Sequence, residues 1–273
     1  LAPFDPPMKS FPKFPHRMLI ALMVGLFLAP AANALIIYGG ATGQTTDPGG
    51  GLPWANVGNT GVFLGNYDSG YWVITANHVG YVSGITLDGT HYSAVGGTNQ
   101  RVGTTDLLLY RIDVSGGAPS LSNLTISHLS PSIGQAITMV ADGSGTMTWG
   151  DNTVDGYGNY TLVSEGPTTF GLVTDYDAVA GETQAQGGDS GGALFYEVST
   201  GNWWLSGIIS GVDTVSNPDI TVSVALGYYY NDIVGIVGSP LTAVPEPATW
   251  AALLGAFALI GTLVVRRRRR LPN

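Results

Sequence analysis

Apart from its two ends, this chain carries its apolar residues in short runs. They span residues 61–64, 71–76, 106–112, 135–141, 171–175, 192–196, 203–211 and 221–229. Runs of four to nine residues rich in Val, Thr, Tyr and Trp suit strands and are mostly too short for helices. Turn signals separate them: Asn66-Tyr67-Asp68, Asp88-Gly89, Asp142-Gly143 and Asp155-Gly156. With 40 Gly among 273 residues, the pattern predicts an all-β fold. One short helix is expected from Asn231 or Asp232, either of which has the side chain for an N-cap. Residues 115–131, rich in Ser, Gly and Pro, are the expected linker between two β halves.

Charge is distributed unevenly. Between residues 35 and 265 only Arg101 and Arg111 stand against 18 acidic residues, a formal charge of −16. Such a surface repels nucleic acid and anionic lipid, which excludes a nucleic-acid role. There is no Cys. That removes thiol-protease, redox and zinc-finger chemistry, and a body of about 205 residues can bury a sufficient core without disulfides. The Asp residues in Gly-rich turns, such as Asp142, Asp151 and Asp155, form no spaced calcium loop, so no metal and no cofactor are expected.

Both ends read as membrane-directed. Lys9, Lys13 and Arg17 precede an apolar run over 18–28, and Ala32-Asn33-Ala34 follows as a small-x-small cleavage site. Residues 1–34 are therefore expected to be a secretory signal peptide, with the mature chain starting near Leu35; a retained N-terminal anchor is the alternative. At the other end Pro245-Glu246-Pro247 precedes 18 uncharged residues, 248–265, and the block Arg266 to Arg270. That apolar stretch is long enough to cross a bilayer as a transmembrane helix, with the Arg block on the cytoplasmic side. The ordered triple resembles the PEP-CTERM sorting signal of Gram-negative bacteria. The resemblance implies that segment 244–273 is recognised, and cut near the motif, by an exosortase. Delivery to the cell surface or extracellular matrix would follow. A permanent single-pass membrane anchor is the alternative.

Hydrolysis by acyl transfer needs an activated hydroxyl, a base beside it, an orienting carboxylate and amide donors for the oxyanion. The nucleophile candidate is Ser190 in Gln186-Gly187-Gly188-Asp189-Ser190-Gly191-Gly192. Its glycines let the backbone turn sharply and aim the N–H groups of Gly188 and Ser190 at one point, an oxyanion hole. A Gly-rich hairpin without chemistry is the bland alternative. The heptad resembles the active-site loop of the trypsin/chymotrypsin-like serine proteases. Two further segments match that family. His78 follows Ile74-Thr75-Ala76-Asn77, with Val79 where relatives often have Cys, and Asp106 precedes Leu107-Leu108-Leu109. His78 is the expected base and Asp106 the orienting acid; Asp113 competes, but it leads into the linker. The order His78, Asp106, Ser190 is that of the chymotrypsin-like enzymes. Gly188-Asp189-Ser190-Gly191-Gly192 also satisfies the Gly-x-Ser-x-Gly pattern of α/β-hydrolases. That fold needs a His after the Ser, and His16, His78, His91 and His128 all precede it. A subtilisin order would have to recruit Asp47 or Asp68, against the β-rich pattern.

The resemblance implies a protease domain over 35–240 made of two antiparallel β-barrels, with the boundary near 115–131. The first would carry His78 and Asp106, the second Ser190, with a polypeptide substrate between them. It assigns Gln184 to the base of the specificity pocket, and Ser210 to the start of a strand that pairs with substrate at Ser210-Gly211. A neutral Gln184 does not favour basic side chains, although Glu182 lies close in sequence, and Val212 narrows the entrance. Ile37-Tyr38-Gly39-Gly40 resembles the N-terminus of activated relatives, whose ammonium pairs with the acid before the nucleophile, here Asp189. An ordinary first strand is the other reading. Trp54, Trp149, Trp203 and Trp204 are expected to pack the core rather than to bind sugar. The function expected is that of an exported serine endopeptidase. A catalytically silent protease-like binding or matrix protein is the alternative.

Overall fold

In the computed structural model, the described residues are 35–241 apart from 40–43, 69, 81, 127, 144, 163–167, 178, 215–218 and 239–240. The signal segment 1–34 and the sorting tail 244–273, with its expected membrane helix at 248–265, lie outside them. Among the described residues no helix is long and apolar enough to cross a membrane.

The chain is all-β. The strands of its first half are β1 (Ile36–Ile37), β2 (Val57–Gly58), β3 (Gly61–Tyr67), β4 (Gly70–Thr75), β5 (Gly84–Leu87), β6 (Thr90–Ser93), β7 (Gln100–Arg101) and β8 (Leu108–Ile112). Those of the second half are β9 (Ala136–Ala141), β10 (Thr148–Thr153), β11 (Gly156–Tyr160), β12 (Thr169–Tyr176), β13 (Thr183–Gln184), β14 (Ala193–Ser199), β15 (Asn202–Asp213) and β16 (Asp219–Ala225). An antiparallel sheet of five strands runs β2-β3-β4-β8-β7, and one of seven runs β10-β9-β14-β15-β16-β12-β11. The pairs β5-β6 and β1-β13 stand apart. The Asp88-Gly89 turn joins β5 to β6, with both residues at positive φ as a two-residue type I′ hairpin needs.

Both sheets are open, where closed barrels were expected. The edges β10 and β11 of the larger sheet form no ladder with each other. Asn152 Nδ2 donates to Asp175 O at 2.7 Å and Asp155 N–H donates to Val173 O at 2.9 Å. Both acceptors belong to β12, the partner of β11. The expected linker holds no strand among its described residues. It is stitched to both halves: Leu124 N–H donates to Leu64 O at 2.7 Å, and Leu205 N–H donates to Thr125 O at 2.9 Å.

Strand alternation creates three apolar clusters. Successive side chains point to opposite faces. In β4 Trp72 and Ile74 therefore face one cluster and Val73 another. Phe63, Val73, Ile85, Tyr110 and Ile112 fill the first half. Ile137, Met139, Leu172, Leu194 and Ile209 fill the second. Between the sheets, Val62, Leu64, Ile74 and Leu109 meet Val140, Phe195, Leu205 and Ile208. This seam explains why β4 and β8 are apolar on both faces. The helix α1 (Tyr230–Val237) starts ahead of the expected caps and has no side-chain cap. It stops at Gly238, which is left-handed at φ 85° and returns its N–H to Val234 O at 2.9 Å. Trp149 and Trp203 donate their indole N–H to Thr46 O and Gly50 O, so they tie down the 44–51 strap.

Candidate active site

β4 ends at Thr75, and the chain enters a 3-10 turn at Asn77–Val79 that carries His78. Asn77 N–H donates to Asp106 O at 3.2 Å and His78 N–H to Asp106 Oδ1 at 2.8 Å. The turn before β8 places Asp106. Thr105 N–H and its hydroxyl both donate to Val102 O, and the Arg101 guanidinium donates to the carbonyls of Thr104 and Thr105. One of the two Arg of the body is thus spent on holding this turn. From the other sheet, Thr169 Oγ1 accepts the Asp106 N–H at 2.8 Å.

Ser190 lies on the turn that leads into β14. Gln186 N–H donates to Asp189 Oδ2 at 2.7 Å, Asp189 N–H to Gln186 O at 3.1 Å, and Gly192 N–H to Asp189 O at 2.9 Å. The turn requires Gly188 at φ 107° and Gly191 at φ 93°, which other residues rarely adopt. At Gly191 a Cβ would also fall 2.6 Å from Thr75 Oγ1. Among the described residues no acceptor takes the N–H of Gly188 or Ser190.

The three expected side chains meet at the seam. His78 Nδ1 is 2.8 Å from Asp106 Oδ2, and His78 Nε2 is 2.8 Å from Ser190 Oγ. Asp106 is buried at 2% exposure, while the His78 side chain is 39% exposed. The Asp106 carboxylate accepts from His78 N–H at Oδ1, and from His78 Nδ1–H and the Ser210 hydroxyl at Oδ2. Asp113, the competing acid, instead accepts from Ser115 at the exposed end of β8.

The expected pocket residues are placed less simply. Ser210 lies within β15, not at its start, because β15 begins at Asn202. It is the bulged residue between Ile209 and Gly211, and the bulge turns its hydroxyl to Asp106. Gly211 pairs with Val222, and a Cβ there would fall 2.6 Å from Leu162 Cδ2. On its β14 side β15 is bonded as far as Ile209, through the N–H of Gly191 and the carbonyl of Gly192, and among the described residues no main-chain bond on that side is made by Ser210, Gly211 or Val212 beside Ser190. Gln184 is buried in β13 opposite Ile36, with Nε2 unpaired. No group of three or more metal-type side chains converges among the described residues.

Ile37 is paired with Thr183 in β1, so the Ile37 segment forms a strand instead of a free end beside Asp189. Asp189 is buried, its Oδ1 has no partner, and the ionisable group that acts on it is another acid, Asp142. Burial, with a smaller contribution from Asp142, pushes the Asp189 carboxyl up to about 7 against the opposing Gln186 N–H. The folded state therefore holds a proton that the unfolded chain releases above about pH 4. Stability falls as pH rises from about 4 to 7, by at most about 4 kcal/mol at ~1.4 kcal/mol per pH unit. Asp189→Asn mimics the protonated form and should flatten this dependence in urea unfolding at pH 5 and pH 8. A wild-type profile as flat as the variant's would mean that a cation reaches Asp189.

Thr169 carries no signal in the sequence, and Asp142 stands there only as part of a turn and as a calcium candidate; β12 brings the first to Asp106 and the turn after β9 brings the second to Asp189.

The C-terminal residues 243–270 match the PEP-CTERM protein-sorting motif, a tail associated with export and membrane-linked sorting. No curated protein matches the chain. Among solved structures, the chain is similar to the NS6 protease from murine norovirus 1, at 15% identity and a TM-score of 0.43. That match covers 63% of this chain and 90% of that one. It is also similar to the active form of the Rv3671c protease from M. tuberculosis, at 16% identity and a TM-score of 0.46, over 62% of this chain and 70% of that one.

Proposed function

We propose that this chain is an exported serine-type endopeptidase of the double-barrel, chymotrypsin-like kind, with Ser190 as nucleophile, His78 as general base and acid, and Asp106 as the orienting acid. The observation that carries the reading is the unbroken line Asp106–His78–Ser190, with both links at 2.8 Å. Three separate segments supply it, next to two amides with no acceptor among the described residues. In this reading Nδ1–H of His78 is held by Asp106, which leaves Nε2 free to accept the Ser190 proton as Oγ attacks the scissile carbonyl. The new oxyanion lies against the N–H groups of Gly188 and Ser190. Protonated His78 then gives its proton to the leaving amine, and water repeats the sequence to release the acyl group.

The open edge at 210–212 favours an extended polypeptide as substrate, because a strand can add to it through main-chain hydrogen bonds. Gly211 would pair with that strand, Leu162 would roof it, and Gln184 would face the side chain entering the pocket. The tail would be recognised by an exosortase, which would cut near Pro245-Glu246-Pro247 and deliver the enzyme to the cell surface. A silent protease-like binding protein would keep this geometry but not its reactivity.

A fluorophosphonate probe decides between them. It should label the wild type and leave Ser190→Ala unlabelled. An unlabelled wild type with its fold intact would sink the enzyme reading. Run on cell fractions with residues 245–273 deleted, the same probe should find labelled enzyme that has lost its surface location. Unchanged location would remove the sorting role of the tail.

A further inference from the structure

Three large apolar side chains stand out into solvent in one neighbourhood, away from the reactive line. Leu129 is 47% exposed, Ile133 56% and Tyr228 65%. Two segments distant in sequence bring them together. The turn after β16 lies directly on the 128–133 stretch: a Cβ at Gly227 would fall 2.8 Å from Ser130 Oγ and 3.0 Å from the carbonyl carbon of Leu129. Tyr228 stacks on Phe170 with ring centroids 4.5 Å apart, and Phe170 stacks on Tyr157 at 6.0 Å. The Tyr157 hydroxyl donates to Pro131 O, which ties this aromatic base back to the same stretch. Tyr228 is therefore a braced amphipathic ring and not a loose surface side chain.

The patch has no charge of its own. No Asp, Glu, Lys or Arg occurs from Val114 to Ala141, from Gly156 to Ser164, from Pro167 to Thr174 or from Ile220 to Asn231, and these stretches supply every residue named above. In a body of formal charge −16 they make a neutral window.

The chain leaves for its tail beside this window. Leu241, the last described residue, is buried, and its carbonyl accepts from the Tyr230 hydroxyl at 2.7 Å. The Tyr230 ring meets His128 edge-on, with centroids 6.1 Å apart. His128 precedes Leu129, and Tyr230 follows Tyr228 by two residues. Six residues separate Leu241 from Ala248, where the uncharged stretch 248–265 begins. Fully extended, that link reaches about 25 Å. A body of about 205 residues is roughly 40 Å across. The link is too short to let the far side of the body face the bilayer, so the exit and the patch beside it turn toward the lipid.

We propose that Leu129, Ile133 and Tyr228, on their aromatic base, form a membrane-docking patch that seats the body on the bilayer for as long as its own tail spans that bilayer. The proposal rests on the reading of 248–265 as a membrane segment. Zwitterionic lipid is the partner that this surface fits. Tyrosine and aliphatic side chains settle at headgroup level, while the acidic remainder of the body is repelled by anionic lipid. The tail holds the patch at the surface, so a contact too small to bind alone is made at high effective concentration. A cut near Pro245-Glu246-Pro247 removes that advantage, and the body then leaves the surface.

A chain without Cys takes a thiol label at one chosen place. Leu129→Cys, Ile133→Cys and Tyr228→Cys are each labelled with an environment-sensitive nitrobenzoxadiazole dye and reconstituted, as the full chain, into phosphatidylcholine vesicles. Val179→Cys is the control. It is 58% exposed and lies beyond Tyr176, the opposite end of β12 from Phe170. Those two ends are about 20 Å apart along the strand. With lipid brominated near the headgroup end of its acyl chains, the three patch labels should lose about half of their emission and the control less than about a tenth. Chains that float with the vesicles while their patch labels are quenched no more than the control would overturn the patch alone. Chains that do not float would overturn the membrane reading of the tail, and the patch with it. The same labels are followed in lipid-free buffer on chains lacking residues 245–273. Patch emission that rises there with protein concentration would assign the patch to a second copy and overturn the lipid partner.

Discussion

Removing the imidazole in His78→Ala should cost about 10^6-fold in kcat/KM on a quenched fluorescent polypeptide while hardly changing the unfolding midpoint. Both halves of that expectation come from the geometry. Nε2 of His78 is 2.8 Å from Ser190 Oγ, and Asp106 reaches the serine only through the imidazole. Among the described residues no second base is bonded to Ser190 Oγ, and an unassisted serine hydroxyl is a weak nucleophile near neutral pH. The side chain is 39% exposed. Its loss therefore opens little cavity, and the main-chain N–H of residue 78 still bonds to Asp106 Oδ1 in the variant. A loss below about 10^3-fold would show that another group abstracts the proton, and a collapse in stability would turn the result into one about folding.

The second large effect comes from a change of a single atom. In Asp106→Asn the amide must choose which way to face, and its neighbours decide. The His78 main-chain N–H at 2.8 Å needs an acceptor, so the amide oxygen takes the place of Oδ1. The NH2 group then falls where Oδ2 was, opposite His78 Nδ1 and Ser210 Oγ, both of which can accept. All the bonds survive with the direction of two of them reversed, so stability should change little. The imidazole, however, is locked with its proton on Nε2, facing Ser190, where it cannot act as a base. A fall of about 10^4-fold in kcat/KM at neutral pH is expected. Retention of more than a tenth of the activity would show that Asp106 does not set the tautomer.

What could be read in advance had a local cause. His78, Asp106 and Ser190 each sit where a strand meets a turn, so a few neighbours define each frame. The order of three such frames left a single arrangement compatible with the four His. The seam residues of β4 and β8 were legible as apolar runs for the same reason. What could not be read depends on pairing between distant segments. Thr169 reaches Asp106 because β12 is a neighbour of β16, and Ser210 turns inward because β15 bulges by one residue between Ile209 and Gly211. The β5-β6 hairpin escaped notice although its Asp88-Gly89 turn did not, because its second strand, Thr90–Ser93, is mostly exposed and carries no apolar run. Open edges in place of closed barrels are a matter of which strands pair, and β10 and β11 do not, which the spacing of apolar runs cannot show.

The seam itself has a consequence for how this protein ages. His78 and Asp106 stand with one sheet and Ser190 with the other, and in a chain without cysteine no disulfide crosses between them. The span from Nε2 to Oγ acts as a gauge of alignment between two slabs held chiefly by apolar contact. A slip of about one ångström would leave every strand intact and the reactive line broken. If the chain is the exported peptidase proposed above, such a molecule would persist outside the cell, where nothing resynthesises it, as an intact but inert scaffold.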